Sequence, residues 1–241
     1  MTLPLAGKTA LITGSTQGLG LAAAKRFADA GCRIIANGFA DGKFIGADLS
    51  NPAEIEAMIK AAGPIDILVN NAVVRHTAPI ESFDVDRWDE SLAVNLSAAF
   101  HTIRLALPGM KARGWGRIIN MSSIYAQRGA ANRVGYVTTK TALIGLTRSV
   151  ALEVVGTGVT CNAVCPGTTE TPVHDVTIEA MMQDGGLSRA EAERTFLTGK
   201  QPTGTIIAAD DVAAMLMFLC GPSSNDINGS IFPIDAGWSA G

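Results

Sequence analysis

A chain of 241 residues with 47% apolar content can bury a full core, and a single α/β domain spanning 1–241 is the expectation. The net charge of −3, with acids and bases mixed along the chain, leaves no basic stripe for nucleic acid and no lysine-rich amphipathic helix for a membrane surface, so a small-molecule partner is favoured. No apolar run reaches membrane-spanning length, and "MTLPLAGKTALITG" is broken too early by Gly14 to act as a signal peptide, which predicts a cytoplasmic protein.

Short apolar runs alternate with longer stretches of helical period, the pattern of βαβ units and a parallel sheet. The predicted strands are "TALIT" (9–13), "RIIA" (33–36), "DILVN" (66–70), "RIINMS" (117–122), "VTCNAV" (159–164) and "SIFPID" (230–235). The clearest helices fall at 19–30, closed by Gly31, and at 52–62, opened by Asn51 and closed by Gly63. Three more are predicted at 86–112, 135–155 and 210–219.

Two segments break this rhythm. A polar stretch at 171–201, helical in parts, is inserted before the last strand and reads as a small lid. Between "RIIANGF" and "FIGADLS" only "ADGK" (40–43) intervenes, whereas a parallel crossover normally takes a dozen residues or more. The second run is expected to be a very short strand reached by a bare loop. Cys32, Cys161, Cys165 and Cys220 lack metal or redox spacing and read as small buried hydrophobes, and His76, His101 and His174 show no ligand spacing, so no metal site is expected. His76 is a candidate for the pocket wall, and the other two histidines read as structural or exposed.

Directly after the first strand stands "TGSTQGLG", with Gly14, Gly18 and Gly20 opening the next helix. Glycines there permit a tight turn and let backbone N–H groups approach a pyrophosphate, so strand, turn and helix together predict a dinucleotide site. The G-x-x-x-G-x-G spacing resembles that of the short-chain dehydrogenases/reductases. The likeness continues in family order through "NNAV", "VNLS", "MSS", "YVTTK" and "CPGTTETP". "VNLSAAFHTIRLALPGM", "GWGRIIN", "GTGVTCNAVCPG" and "KQPTG" are similar to the 3-hydroxybutyrate dehydrogenase branch.

The resemblance implies a Rossmann-type doubly wound sheet with helices on both faces, and a catalytic set of Ser123, Tyr136, Lys140 and Asn95. Tyr136 would exchange a proton with the substrate oxygen. A free tyrosine titrates near about 10, so a neighbouring cation is needed, and Lys140 stands one helical turn away. Lys140 would also bind the nicotinamide ribose. Ser123, thirteen positions before Tyr136, would hold the reacting oxygen, with Ser122 a structural neighbour, and Asn95 would support a proton relay.

For the cofactor, the resemblance implies Gly14, Thr16, Gln17, Gly18, Leu19 and Gly20 at the phosphates and Phe39 at the end of the second strand. Asp48 and Leu49 would flank the adenine. Asn71 and Ala72 would stand at the nicotinamide ribose with Tyr136 and Lys140, and Pro166, Gly167 and Thr171 at the nicotinamide end. Val73 departs from the family's N-N-A-G by replacing its glycine. NAD is favoured over NADP, because "GSTQGLG" and "ANGF" hold no arginine or lysine for a 2′-phosphate and only Lys43 is close.

Against the hydroxybutyrate branch, four positions around the substrate are altered. Arg75 stands for a glutamine, Tyr125 for a histidine, Arg133 for a lysine and Thr168 for a tryptophan. Arginine grips planar oxyanions through paired hydrogen bonds, so an anionic hydroxy or oxo acid is expected, other than 3-hydroxybutyrate itself; Arg128 reads as a solvated surface charge. The alternatives are an NADP-dependent reductase of a sugar acid or other polar ketone, and a catalytically silent dinucleotide-binding regulator. The family resemblance implies a homotetramer.

Overall fold

The computed structural model describes residues 4–38 and 45–240. Six parallel strands, β1 (Thr9–Ile12), β2 (Arg33–Ala36), β3 (Ile67–Asn70), β4 (Gly116–Met121), β5 (Val159–Pro166) and β6 (Ile231–Ile234), form one sheet in the order β2-β1-β3-β4-β5-β6. Each of the six sequence-predicted strands is present, with ends that differ by two residues at most.

The sheet is apolar on both sides because helices cover both faces. Alternation along the strands sends Leu11, Leu68, Ile118 and Cys161 into one layer, where they meet α2 (Pro52–Ala62) and α4 (Ala98–Arg113). Their neighbours Ile12, Val69 and Ile119 turn to the other face, against α1 (Gly18–Asp29) and α8 (Ala209–Cys220). All four cysteines are free and buried.

The order reverses direction between β1 and β3, since β2 lies on one side of β1 and every later strand on the other. In such sheets ligands bind beyond the carboxyl ends of the strands at this switch point. The β1–α1 turn is laced there to the segment after β3. Thr13 Oγ1 accepts from the backbone N of Asn71 (2.9 Å) and of Ala72 (3.1 Å), and Asn71 Nδ2 donates to the carbonyls of Thr13 (3.0 Å) and Gly14 (2.9 Å).

The helix predicted over 86–112 is two helices, α3 (Val85–Leu92) and α4, joined by a π-helical stretch at Ala93–Ser97. At the widened turn Asn95 faces inward and its amide clamps the Val74 backbone, accepting from N (2.8 Å) and donating to O (3.0 Å). The expected short strand after the abbreviated crossover reduces to one parallel bridge between Asn37 and Ile45. Asn37 Nδ2 donates to the Ile45 carbonyl (3.1 Å), so one side chain holds what a covering helix would otherwise support. Phe39 and Lys43 lie outside the described residues.

α5 (Val134–Glu153) follows the β4 loop, and the insertion after β5 folds as α6 (Pro172–Gly185) and α7 (Arg189–Phe196). A reciprocal Ser188–Glu191 capping box starts α7. The insertion returns to the sheet through Gln201, whose buried amide accepts from Thr168 N and donates to the Thr205 carbonyl (2.7 Å).

Candidate active site

The glycine-rich turn lies below the switch point. Gly18 adopts φ +52, a conformation open to glycine, and a Cβ there would face Thr171 at 3.6 Å. A Cβ on Gly20 would fall 2.3 Å from the Gly14 carbonyl oxygen and 2.6 Å from Asn71 Nδ2, so only glycine fits. Gln17 precedes α1 without capping it by its side chain, which leaves the first N–H groups of the helix pointing at the crevice. Leu19 packs its side chain toward the core, so its backbone alone faces this turn. Thr16 packs on Gly38, where a Cβ would approach Thr16 Cγ2 to 2.2 Å.

These residues fit a dinucleotide. Thr171 Oγ1 is buried with no protein hydrogen-bond partner and sits across the turn from Gly18, a donor awaiting an acceptor of the kind a phosphate or carboxamide supplies. Pro166 ends β5, and Gly167 is held by its N–H to the Ile234 carbonyl (2.9 Å) while the Gln201 amide crowds its Cα.

At the adenine end the picture is more local. Asp48 accepts from the backbone N and hydroxyl of Ser50, both at 2.8 Å, and these bonds hold its carboxyl below the usual range. Leu49 is buried in the core layer.

The catalytic candidates converge where β4 ends against α5. Ser123 caps a short 3₁₀ turn by accepting from Tyr125 N (3.2 Å). Ser122 Oγ donates to the Lys140 carbonyl (2.7 Å), so the structural role expected of Ser122 is to fix α5 on the strand. Lys140 is buried and donates from Nζ to the Met121 carbonyl (2.6 Å). Burial pulls its pKa down to about 7, assisted by the charge of Arg75. Tyr136 is buried. Lys140 Nζ lies 5.8 Å from its ring centroid and Arg75 Cζ 5.5 Å. The ring also packs edge-on to Tyr125 at 6.3 Å, and Tyr125 in turn meets Trp238 at 5.3 Å.

Asn95 stands behind this group, within 3.4 Å of Thr139 Oγ1, and with Lys140 it borders a cavity of about 10 Å³, the lower limit for one water molecule. Asn95→Ala leaves both polar groups of Val74 without their partners and is expected to lower unfolding free energy in urea by about 1–3 kcal/mol. A larger hollow of about 520 Å³ adjoins the first turn of α5, lined by residues such as Pro79, Asn132 and Val137; none of the predicted site residues lines it.

Other residues near the site are tied into the fold. His76 is engaged by Glu90 (2.9 Å), which also pairs with Arg87. Arg128 is more than a solvated charge, since it donates to the Trp238 carbonyl. Thr168 is buried, with its N–H on Gln201. His174 is half-buried beside the site, its Nδ1 2.8 Å from the Thr169 carbonyl oxygen, and it is depressed below the usual histidine value by burial and by Arg75, Lys200 and Arg133. Lys200 and Gln201 stand in the "KQPTG" run, which gave neither of them a place in the site, and Trp238 carries no motif.

The family model for short chain dehydrogenases matches residues 8–181. The chain belongs to the short-chain dehydrogenase/reductase family. It is therefore an oxidoreductase that uses a nicotinamide dinucleotide. Among short-chain dehydrogenases it is similar to the D-beta-hydroxybutyrate dehydrogenase of Cupriavidus necator, at 43% identity over 98% of this chain and 99% of that one. The enzyme of that name from Rhizobium meliloti is 39% identical over 97% and 99%. In structure it is similar to the L-sorbose reductase of Gluconobacter frateurii solved with NADPH and L-sorbose, with a TM-score of 0.93 and 27% identity over the full length of both chains.

Proposed function

We propose that this enzyme interconverts a small anionic hydroxy acid, 3-hydroxybutyrate-like, and its oxo acid with NAD as cofactor. The observation that carries this reading is the placement of Tyr136 beside two cations, Lys140 on its own helix and Arg75 from the segment after β3. The first suits proton transfer at a phenol and the second suits an anionic substrate.

When bound, the dinucleotide supplies hydride exchange at the substrate carbon. Gly18, Leu19 and Gly20 would hold its phosphates by backbone N–H, Thr171 would donate its unpartnered hydroxyl, and Lys140 would reach its ribose. Tyr136 Oη takes the proton from the substrate hydroxyl in oxidation and returns it in reduction. A positive Lys140 stabilises negative charge on that oxygen, and Ser123 Oγ holds the substrate oxygen. Asn95 and the small cavity beside Lys140 give the proton an outlet away from the substrate. Arg75 and Arg133 orient the carboxylate, and Tyr125 and Thr168 border it.

NAD is supported by the end of β2. Asn37 commits its amide to Ile45, Gly38 leaves no room for a side chain, and no basic residue among the described ones there meets a 2′-phosphate. The likeness to a reductase solved with NADPH and L-sorbose favours a second reading, an NADP-dependent reductase of a polar ketone. Four buried free thiols support a cytoplasmic location. Exposed Phe100 on α4 and Leu152 and Val155 at the end of α5 support assembly through these helices as a homotetramer.

The purified enzyme should reduce NAD with hydroxy acids and prefer it to NADP, followed at the nicotinamide absorbance band. Uncharged alcohols of the same size should react poorly, and Arg133→Ala should narrow the difference. Equal rates on acids and neutral alcohols, with a ratio unmoved by Arg133→Ala, overturn the reading. Cofactor binding with no turnover on any substrate identifies a silent regulator instead.

A further inference from the structure

Three cations stand on the substrate side of Tyr136. Arg75 lies over the ring of Tyr136. Arg133 heads α5 one turn before that residue, its carbonyl accepting from Val137 N (2.9 Å). Lys200, at the end of the inserted segment, holds Nζ 4.0 Å from the Phe196 ring centroid, and that ring is 5.5 Å from His174. The charges of all three act on His174, and that of Arg133 acts on Lys200 and Tyr125.

Among the described residues, none of these three side chains donates a hydrogen bond to a protein acceptor or enters an ion pair. Four acids in and beside the insertion are engaged elsewhere. Asp175 and Glu193 hold Arg189 at 2.5 and 2.9 Å, Glu191 caps α7 with Ser188, and Glu170 accepts from Ala209 N at 3.2 Å. Like charges gathered in a partly buried site repel, and no acid among the described residues forms an ion pair with any of the three. One carboxylate satisfies one guanidinium through paired hydrogen bonds and leaves the rest of the positive charge unmatched.

We propose that the substrate carries two acidic groups: a hydroxy dicarboxylate whose first carboxylate is held by Arg75 beside Tyr136 and whose second is held by Lys200 and Arg133 against the insertion. This rests on the hydroxy-acid reading above and sharpens it. The cofactor phosphates do not account for the cluster, because the glycine turn supplies them with backbone donors and Arg75 lies on Tyr136.

3-Hydroxybutyrate and 3-hydroxyglutarate share the reacting carbinol and one carboxylate arm, and differ in the second acid. The expected result is a kcat/KM for the diacid at least about 10-fold above that for the monoacid, with Lys200→Met cutting this ratio by about 10-fold, as befits one charge-assisted hydrogen bond. Lys200→Arg should restore the ratio, which separates a lost charge from a disturbed fold. NADH affinity, read by fluorescence, should remain at the wild-type value in both variants. A monoacid turned over as well as the diacid, a ratio unmoved by Lys200→Met, or a loss of NADH affinity in that variant overturns this proposal alone. Failure of both acids as substrates overturns the hydroxy-acid reading with it.

Discussion

Tyr136→Phe should reduce kcat by about 10³-fold, within the range for loss of a positioned proton donor and equivalent to about 4 kcal/mol of barrier, while leaving the fold and cofactor affinity intact. The structure explains why the two effects separate. The Tyr136 hydroxyl makes no hydrogen bond to any described residue, so its removal strands no partner, and the ring that packs on Tyr125 at 6.3 Å is retained. Stability should stay within about 0.5 kcal/mol of wild type, as for a substitution that breaks no internal contact. Turnover and urea midpoint measured on the same preparation check both halves. Retained turnover would remove Tyr136 from the chemistry. A large loss of stability would show that the hydroxyl supports the fold.

The sheet was legible in the sequence because its four inner strands are buried on both faces and so stand out as apolar runs, with the half-buried edge strands β2 and β6 marked by "RIIA" and "IFPI". "TGSTQGLG" and "YVTTK" were legible because their spacing is set by local geometry, a tight turn in one and a helical period in the other. The break at Ala93–Ser97 was not legible. Nothing near Asn95 in the chain announces that it will clamp Val74, twenty-one residues earlier, and a helical pattern runs on through that turn. The substrate wall was legible only where a family position exists. Arg75 and Arg133 became candidates by family position, whereas the contacts of Lys200 and His174 with Phe196 depend on how the inserted segment packs, which its residue spacing does not set. Trp238 reaches Tyr125 from the far end of the chain by the same kind of tertiary packing.

Lys140→Met should abolish most turnover, again on the order of 10²–10⁴-fold, and in the same protein raise stability by an amount that depends on pH. Burial pulls the Lys140 pKa down to about 7 from the ordinary lysine value of 10.5, with Arg75 adding to the depression. Between those two values the unfolded chain holds a proton that the folded chain has released, so folding stability from this group rises with pH across the interval. Below about 7 both states are protonated and the full penalty of a buried charge is present. The variant's advantage over wild type should therefore be greatest at pH 6 and shrink toward pH 10. It is offset at every pH by the lost bond to the Met121 carbonyl, which either form of the amine can donate. Urea melts of both proteins at several pH values read the difference directly. Arg75→Gln supplies the control: by removing the second cause it should move the change to higher pH. A gap independent of pH would mean that Lys140 keeps its proton throughout, and that the ammonium is already stabilised by something other than the Met121 carbonyl.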